Sequence, residues 1–139
     1  MGAVERTRVL VADDNGVYRV QLGRFLASHP DMEVVGYASD GLDAVRLASL
    51  LQPDVVLMDL CMPECDGFDA TRALKVARED VNVIALTAHR TPDVEQRSIE
   101  AGAAAFLSKS DVDRKLIELI RGICANERDH DTRGSPRDS

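Results

Sequence analysis

The sequence predicts an α/β fold, one five-stranded parallel sheet wound with helices on both faces. Three observations carry this. Apolar runs of strand length alternate along the chain with stretches whose apolar residues recur at helical spacing. The run Val55-Val56-Leu57-Met58 is apolar without interruption, as a strand buried on both faces of a parallel sheet must be. The chain has 139 residues, 45% of them hydrophobic, which suits one domain around one sizeable core.

The elements follow in order. Arg8-Val9-Leu10-Val11-Ala12 reads as the first strand, closed by the polar turn Asp13-Asp14-Asn15-Gly16. Val17, Val20, Leu22, Phe25 and Leu26 recur at helical spacing and predict a helix over about residues 16–28, stopped by His29-Pro30-Asp31. Met32 to Ala38 is the second strand. Ser39-Asp40-Gly41 then turns the chain and caps a helix marked by Leu42, Val45, Leu47, Ala48 and Leu51, ending at Gln52-Pro53-Asp54. The third strand, Val55 to Asp59, must stop there, because Pro63 lacks an N–H and Asp66-Gly67 signals a turn.

Gly67 to Ala77 is helical, with Phe68, Ala70, Ala73, Leu74 and Ala77 inward. Val81 to Thr87 is the fourth strand, Ala88 to Pro92 a loop, and Asp93 to Ala101 a short helix closed by Gly102. Ala103 to Leu107 is a fifth strand, weak by propensity because it is mostly alanine. Ser108 to Asp111 is loop and cap, and Val112 to Cys124 the last helix. Residues 126–139 contain nothing apolar to bury and are expected to be a disordered tail or linker. The domain proper is residues 6–125. Five strands with right-handed crossovers favour the flavodoxin-like order 2-1-3-4-5, which puts a switch point between the first and third strands.

Composition excludes several classes. The net charge of −7 and pI near 4.9 give no field that attracts nucleic acid or an anionic membrane, so no direct nucleic-acid binding is expected of this chain. No apolar run approaches the ~20 residues of a membrane span. The start of the chain lacks a signal-peptide core, so a cytoplasmic location is expected. Three cysteines at irregular spacing make no disulfide framework.

The predicted order brings the ends of four strands to one sheet edge. There Asp13 and Asp14 follow the first strand, Asp59 ends the third, Thr87 ends the fourth and Lys109 follows the fifth. Taken singly, each has a plainer explanation: a solvated turn, a strand-end cap, a β-former, a surface lysine. Together they make a chemistry. Three adjacent carboxylates raise one another's pKa and call for a hard divalent cation with oxygen ligands, which suits Mg²⁺. A metal, an ammonium and a hydroxyl around one carboxylate form a receptacle for a phosphoryl group. The carboxylate itself can be the nucleophile, giving an aspartyl phosphate.

The motifs Val9-Leu10-Val11-Ala12-Asp13-Asp14, Pro53 through Pro63, Asp66-Gly67, Leu86-Thr87-Ala88 and Gly102 through Lys109 together resemble the receiver domain of bacterial two-component response regulators. The segment Pro30-Asp31-Met32-Glu33-Val34-Val35-Gly36 further resembles the NarL-type subfamily, whose receivers usually precede a helix-turn-helix DNA-binding domain. The resemblance implies the CheY-like version of the fold and a set of roles. Asp59 would accept a phosphoryl group from a phosphohistidine on a sensor histidine kinase or phosphotransfer protein. Asp14 and Asp59 would hold Mg²⁺ directly, with the backbone carbonyl of Cys61, and Asp13 would act through water. Lys109 would grip one phosphoryl oxygen. Thr87 would move to hydrogen-bond another, Phe106 would swing inward behind it, and the surface around residues 87–125 would carry the signal to an output. A phosphorylation-dependent homodimer is left open.

Two alternatives stand beside this reading. One is a Mg²⁺-dependent phosphohydrolase of small molecules, which would need a substrate pocket or cap. The other is a binding module that has lost phosphorylation, against which the intact Asp13, Asp14, Asp59, Thr87 and Lys109 argue. The chain departs from the common pattern at Ser110, where Pro usually follows the lysine, at Phe106 in place of Tyr, and at Cys65 in place of Met. Cys61 and Cys65 bracket the loop beside the site and fall short of a zinc set, so two small loop residues are expected. His89, two residues after Thr87, is expected in an exposed loop.

Overall fold

The computed structural model describes residues 5–62 and 66–137, with side-chain surroundings as far as residue 125. Strands β1 (Thr7–Ala12), β2 (Met32–Ala38), β3 (Val55–Asp59), β4 (Asn82–Thr87) and β5 (Ala105–Ser108) alternate with helices α1 (Gly16–Ala27), α2 (Gly41–Leu51), α3 (Gly67–Ala77), α4 (Pro92–Ala101) and α5 (Val112–Arg137). All pairings are parallel and the order is β2-β1-β3-β4-β5, the doubly wound arrangement expected.

Side chains on successive strand residues point to opposite faces, and this sorts the core into layers. Val9, Val11, Leu57 and Ile84 face α1 and α5, where Leu26 and Leu116 meet them. Leu10, Ala12, Val56 and Met58 face α2 and α3, where Ala48 and Leu74 meet them. Beyond these, Leu60, Phe68, Ala85 and Ala101 form a smaller cluster beneath α4. Leu57 is fully buried at the centre, and its truncation to Ala would cost about 2–5 kcal/mol.

The starts of α1 to α4 are each fixed by a side-chain oxygen that accepts an otherwise orphaned N–H. Asn15 accepts from Tyr18, Asp40 from Asp43, Asp66 from Asp69 and Thr91 from Val94. Pro92 occupies the first turn of α4, where its missing N–H costs nothing. Gly102 ends α4 at φ 109°, and a Cβ there would also lie 2.9 Å from Cγ of Lys75.

The structure departs from expectation in four places. Val17 and Val20, part of the helical pattern of α1, are 70% and 46% exposed. At 100° per residue they lie roughly 140° and 160° round the helix from buried Leu22, so they point away from the sheet. In α3, Ala73 and Ala77 are exposed and Thr71 is buried instead; its hydroxyl donates to the Gly67 carbonyl at 2.7 Å, which satisfies it there. Strand β5 begins at Ala105 rather than Ala103, because the Ala103 N–H donates to Ser98 at the end of α4. Finally, α5 does not stop at Cys124 but continues to Arg137. Just beyond Cys124, Ala125, Glu127 and Arg128 favour helix, and no Gly or Pro falls between Cys124 and Gly134.

The register sets the site. Ala12 pairs with Met58, so Asp13 and Asp59 leave the sheet edge on adjacent strands. Asp59 pairs with Leu86, and Thr87 pairs with Ser108, so Thr87 and Lys109 emerge on the same edge.

Candidate functional site

Three carboxylates meet at that edge. One oxygen from each of Asp13, Asp14 and Asp59 lies within 4.8 Å of the others. Asp13 and Asp59 are buried, at 1% and 4% exposure, whereas Asp14 faces solvent. The loop after β1 locks Asp13: its Oδ1 accepts the Asn15 N–H at 2.9 Å, and its carbonyl accepts from Arg19 at 2.7 Å. Asp59 accepts the Cys61 N–H at 3.3 Å. Gly67 is required beside it, since a Cβ there would lie 2.4 Å from the Asp59 carbonyl oxygen.

Lys109 reaches into this cluster from the turn after β5. Its ammonium lies 2.7 Å from Asp13 Oδ2 and 3.5 Å from Asp59 Oδ1. Burial alone would lower its pKa, but the Asp13 hydrogen bond and the nearby Asp59 and Asp13 charges outweigh that and hold it above the usual lysine value. One cation does not balance three carboxylates. Burial, and then the charge of Asp13, push the Asp59 carboxyl up to about 6, against the opposing pull of Lys109. An all-oxygen donor set with surplus negative charge fits a hard divalent cation.

Thr87 and Phe106 flank the cluster in a resting arrangement. The Thr87 hydroxyl donates to the His89 carbonyl at 3.1 Å and accepts the His89 N–H at 3.2 Å, so it is tied to its own loop. Phe106 is half-buried against the cluster beneath α4, and the Arg90 guanidinium stacks on it 5.3 Å from the ring centre. Arg90 in turn pairs with Glu95 of α4 at 3.4 Å. A cleft of about 400 Å³ connects the acidic cluster, Thr87 and Lys109 with Phe68, Val94 and Arg97.

The structure thus brings together Asp13, Asp14, Asp59, Thr87 and Lys109, as the sequence placed them. Cys61 is exposed, lines the cleft and is a free thiol; Pro63 and Cys65 lie outside the described residues. His89 is exposed, as expected, and also borders the cleft. The turn at Ser110 is a single 3-10 turn capped by Ser108, and the described residues contain no cis peptide bond.

Two residues at the site carry no local signal in the sequence. Tyr18 of α1 lies beneath Lys109, the ammonium 4.4 Å from its ring centre. Its hydroxyl is buried with no hydrogen-bond partner among the described residues, and burial together with Asp13 and Asp59 pushes its pKa up to about 12. Arg97 of α4 lies over the Phe68 ring at 4.1 Å. The sequence placed both merely within helices.

The fold and site define a doubly wound α/β module whose β1 and β3 ends gather an acidic cluster, with a lysine reaching in from the turn after β5. The chain matches the family of response regulator receiver domains over residues 9–121 and belongs to it. It is 42% identical over 120 residues to the transcriptional regulatory protein LiaR of Bacillus subtilis, covering 86% of this chain and 57% of that protein. It is 37% identical over 121 residues to the response regulator GacA of Pseudomonas aeruginosa, covering 87% and 56%. The chain therefore spans a little more than half the length of these curated relatives. Among solved structures it is similar to a LuxR-family response regulator from Aurantimonas sp., with a TM-score of 0.84, 30% identity, and 88% and 87% of the two chains covered. The receiver of the putative response regulator NarL from Mycobacterium tuberculosis gives a TM-score of 0.77 at 31% identity, with 85% and 98% covered. These relatives favour the receiver over the phosphohydrolase and over a module that has lost phosphorylation. Among the described residues no helix is long and apolar enough to cross a membrane.

Proposed function

We propose that this receiver is a phosphorylation switch in which Asp59 accepts the phosphoryl group of a phosphohistidine on a sensor histidine kinase or phosphotransfer protein. The observation that carries the reading is the setting of Asp59: buried, 3.5 Å from the Lys109 ammonium, within a cluster of three carboxylates. An Asp59 oxygen attacks phosphorus, the bond from phosphorus to the imidazole nitrogen breaks, and its electron pair stays with the imidazole. Lys109 balances charge on a phosphoryl oxygen, and Thr87 donates its hydroxyl to another after leaving the His89 carbonyl.

Asp13, Asp14, Asp59 and the Cys61 carbonyl would hold Mg²⁺. When bound, the ion supplies positive charge against the phosphoryl oxygens and the crowded carboxylates. Asp13, locked by Asn15 and Arg19, would act through water, while solvent-facing Asp14 would be a direct ligand.

The output is a changed surface over residues 87–125, through the paired movement of Thr87 and Phe106. Residues 126–139 are read as a linker to a DNA-binding module of a longer cytoplasmic regulator, in keeping with the relative named as a transcriptional regulatory protein. A phosphorylation-dependent homodimer is part of this reading, and the acidic receiver itself does not touch nucleic acid.

Incubation with Mg²⁺ and phosphoramidate, read by intact mass, should add one phosphoryl group, and Asp59→Asn should abolish it. Undiminished labelling of that variant overturns the assignment.

A further inference from the structure

We propose that the cleft beside Asp59 has an outer arm, walled by Phe68 and topped by Arg97, that receives the carboxylate leaving group of small acyl phosphates. This rests on the reading of Asp59 as phosphoacceptor. The cleft runs from Asp13 and Asp59 to Phe68, Val94 and Arg97, and its volume of about 400 Å³ equals that of roughly a dozen waters, more than a phosphoryl group fills.

The two ends of the cleft differ in chemistry. The inner end is acidic. At the outer end the exposed Arg97 guanidinium lies 4.1 Å over the nearly buried Phe68 ring, which supports it from beneath. Among the described residues Arg97 pairs with no carboxylate: on α4, Glu95 is taken by Arg90 and Glu100 by Gln96. A guanidinium resting on an aromatic ring, with its donors uncommitted, matches a planar carboxylate in shape and charge.

The transfer balances without a proton. An Asp59 oxygen attacks phosphorus, the bond from phosphorus to the acyl oxygen breaks, and the electron pair leaves with the carboxylate. Arg97 stabilises the negative charge that develops there. Phosphoramidate, whose leaving group departs as neutral ammonia, offers Arg97 no such charge. Arg97 therefore sets the preference between donors rather than the capacity to be phosphorylated.

The test is the initial rate of phosphorylation with Mg²⁺ and either acetyl phosphate or phosphoramidate, for the wild type, Arg97→Ala and Arg97→Lys. The ratio of the acetyl phosphate rate to the phosphoramidate rate should fall five- to tenfold in Arg97→Ala and be partly restored in Arg97→Lys. The phosphoramidate reaction reports that each variant is folded and competent. An unchanged ratio overturns the inference, whether both rates hold or both fall together. Failure of the wild type to take phosphate from either donor overturns the phosphoacceptor reading itself.

Discussion

Lys109 is closer to Asp13 than to Asp59: its ammonium lies 2.7 Å from Asp13 Oδ2 and 3.5 Å from Asp59 Oδ1. The lysine of the acidic cluster is thus held most closely by Asp13, not by the phosphoacceptor of our reading. Asp59, the nucleophile in our reading, is left buried and incompletely neutralised. Its high-energy setting and its reactivity have the same cause.

The first consequence is a pH dependence of stability in the metal-free protein. Asp59 titrates at about 6 when folded, against roughly 4 for an unfolded Asp. The folded state therefore binds this proton more tightly. Its contribution to stability is fully present below the unfolded value and is lost as pH rises through about 6, by up to about 3 kcal/mol. Asp59→Asn should be more stable than wild type above that pH, with the gap closing toward pH 4. Urea unfolding of both proteins across this window measures it; a gap independent of pH contradicts it.

Asp14 is the carboxylate open to solvent, and Asp14→Ala should weaken Mg²⁺ binding without loosening the Asp13–Lys109 pair. The expected loss is at least about tenfold, the lower figure for removing even an outer-shell partner of a metal. Phosphorylation should slow, while the metal-free fold should hold or gain stability as like charges separate. Calorimetric titration with Mg²⁺ decides this, and an unchanged affinity removes Asp14 from the site.

Tyr18 should act through its ring face alone, since its hydroxyl has no partner among the described residues and Lys109 lies over the ring. Tyr18→Phe should phosphorylate as the wild type does. Tyr18→Ala should lose roughly fivefold in rate, the equivalent of a cation–π contact of about 1 kcal/mol. A Phe variant as slow as the Ala variant would instead assign the role to the hydroxyl.

The switch should begin at Thr87. At rest its hydroxyl is bonded to the backbone of His89, so reaching a phosphoryl oxygen breaks those bonds and draws the loop 88–91 with it. That movement takes Arg90 off Phe106 and frees the ring to turn inward. Beryllofluoride with Mg²⁺ should shift amide resonances from Thr87 to Lys109 far more than those of α2. Thr87→Ala should still bind the mimic but lose most of the propagated shift. Perturbation confined to the neighbours of Asp59 contradicts this route.

The parts of the site legible in the sequence are those that strands deliver. Asp59 announces itself because an unbroken apolar run stops at a carboxylate, and parallel order then brings Asp13, Thr87 and Lys109 to the same edge. The helices tell less. Spacing identified α1 as a helix and Gly102 closed α4, but neither says that Tyr18 lies beneath Lys109 or that Arg97 tops the cleft, since those contacts arise from how the helices pack. Nor does the pair Asp13-Asp14 reveal which member is buried; the hydrogen bonds from Asn15 and Arg19 decide that. The length of α5 was missed because its extension beyond Cys124 carries no apolar stripe to mark it.

The most direct test of the central claim is chemical trapping of the acyl phosphate. The protein is phosphorylated with Mg²⁺ and phosphoramidate, then treated with borohydride, which reduces an aspartyl phosphate to homoserine. Tandem mass spectrometry of the digest should place homoserine at position 59 and nowhere else, with none formed when Mg²⁺ is chelated. Homoserine at position 13 or 14, or phosphate retained on His89 or Ser110 with Asp59 intact, would contradict the account.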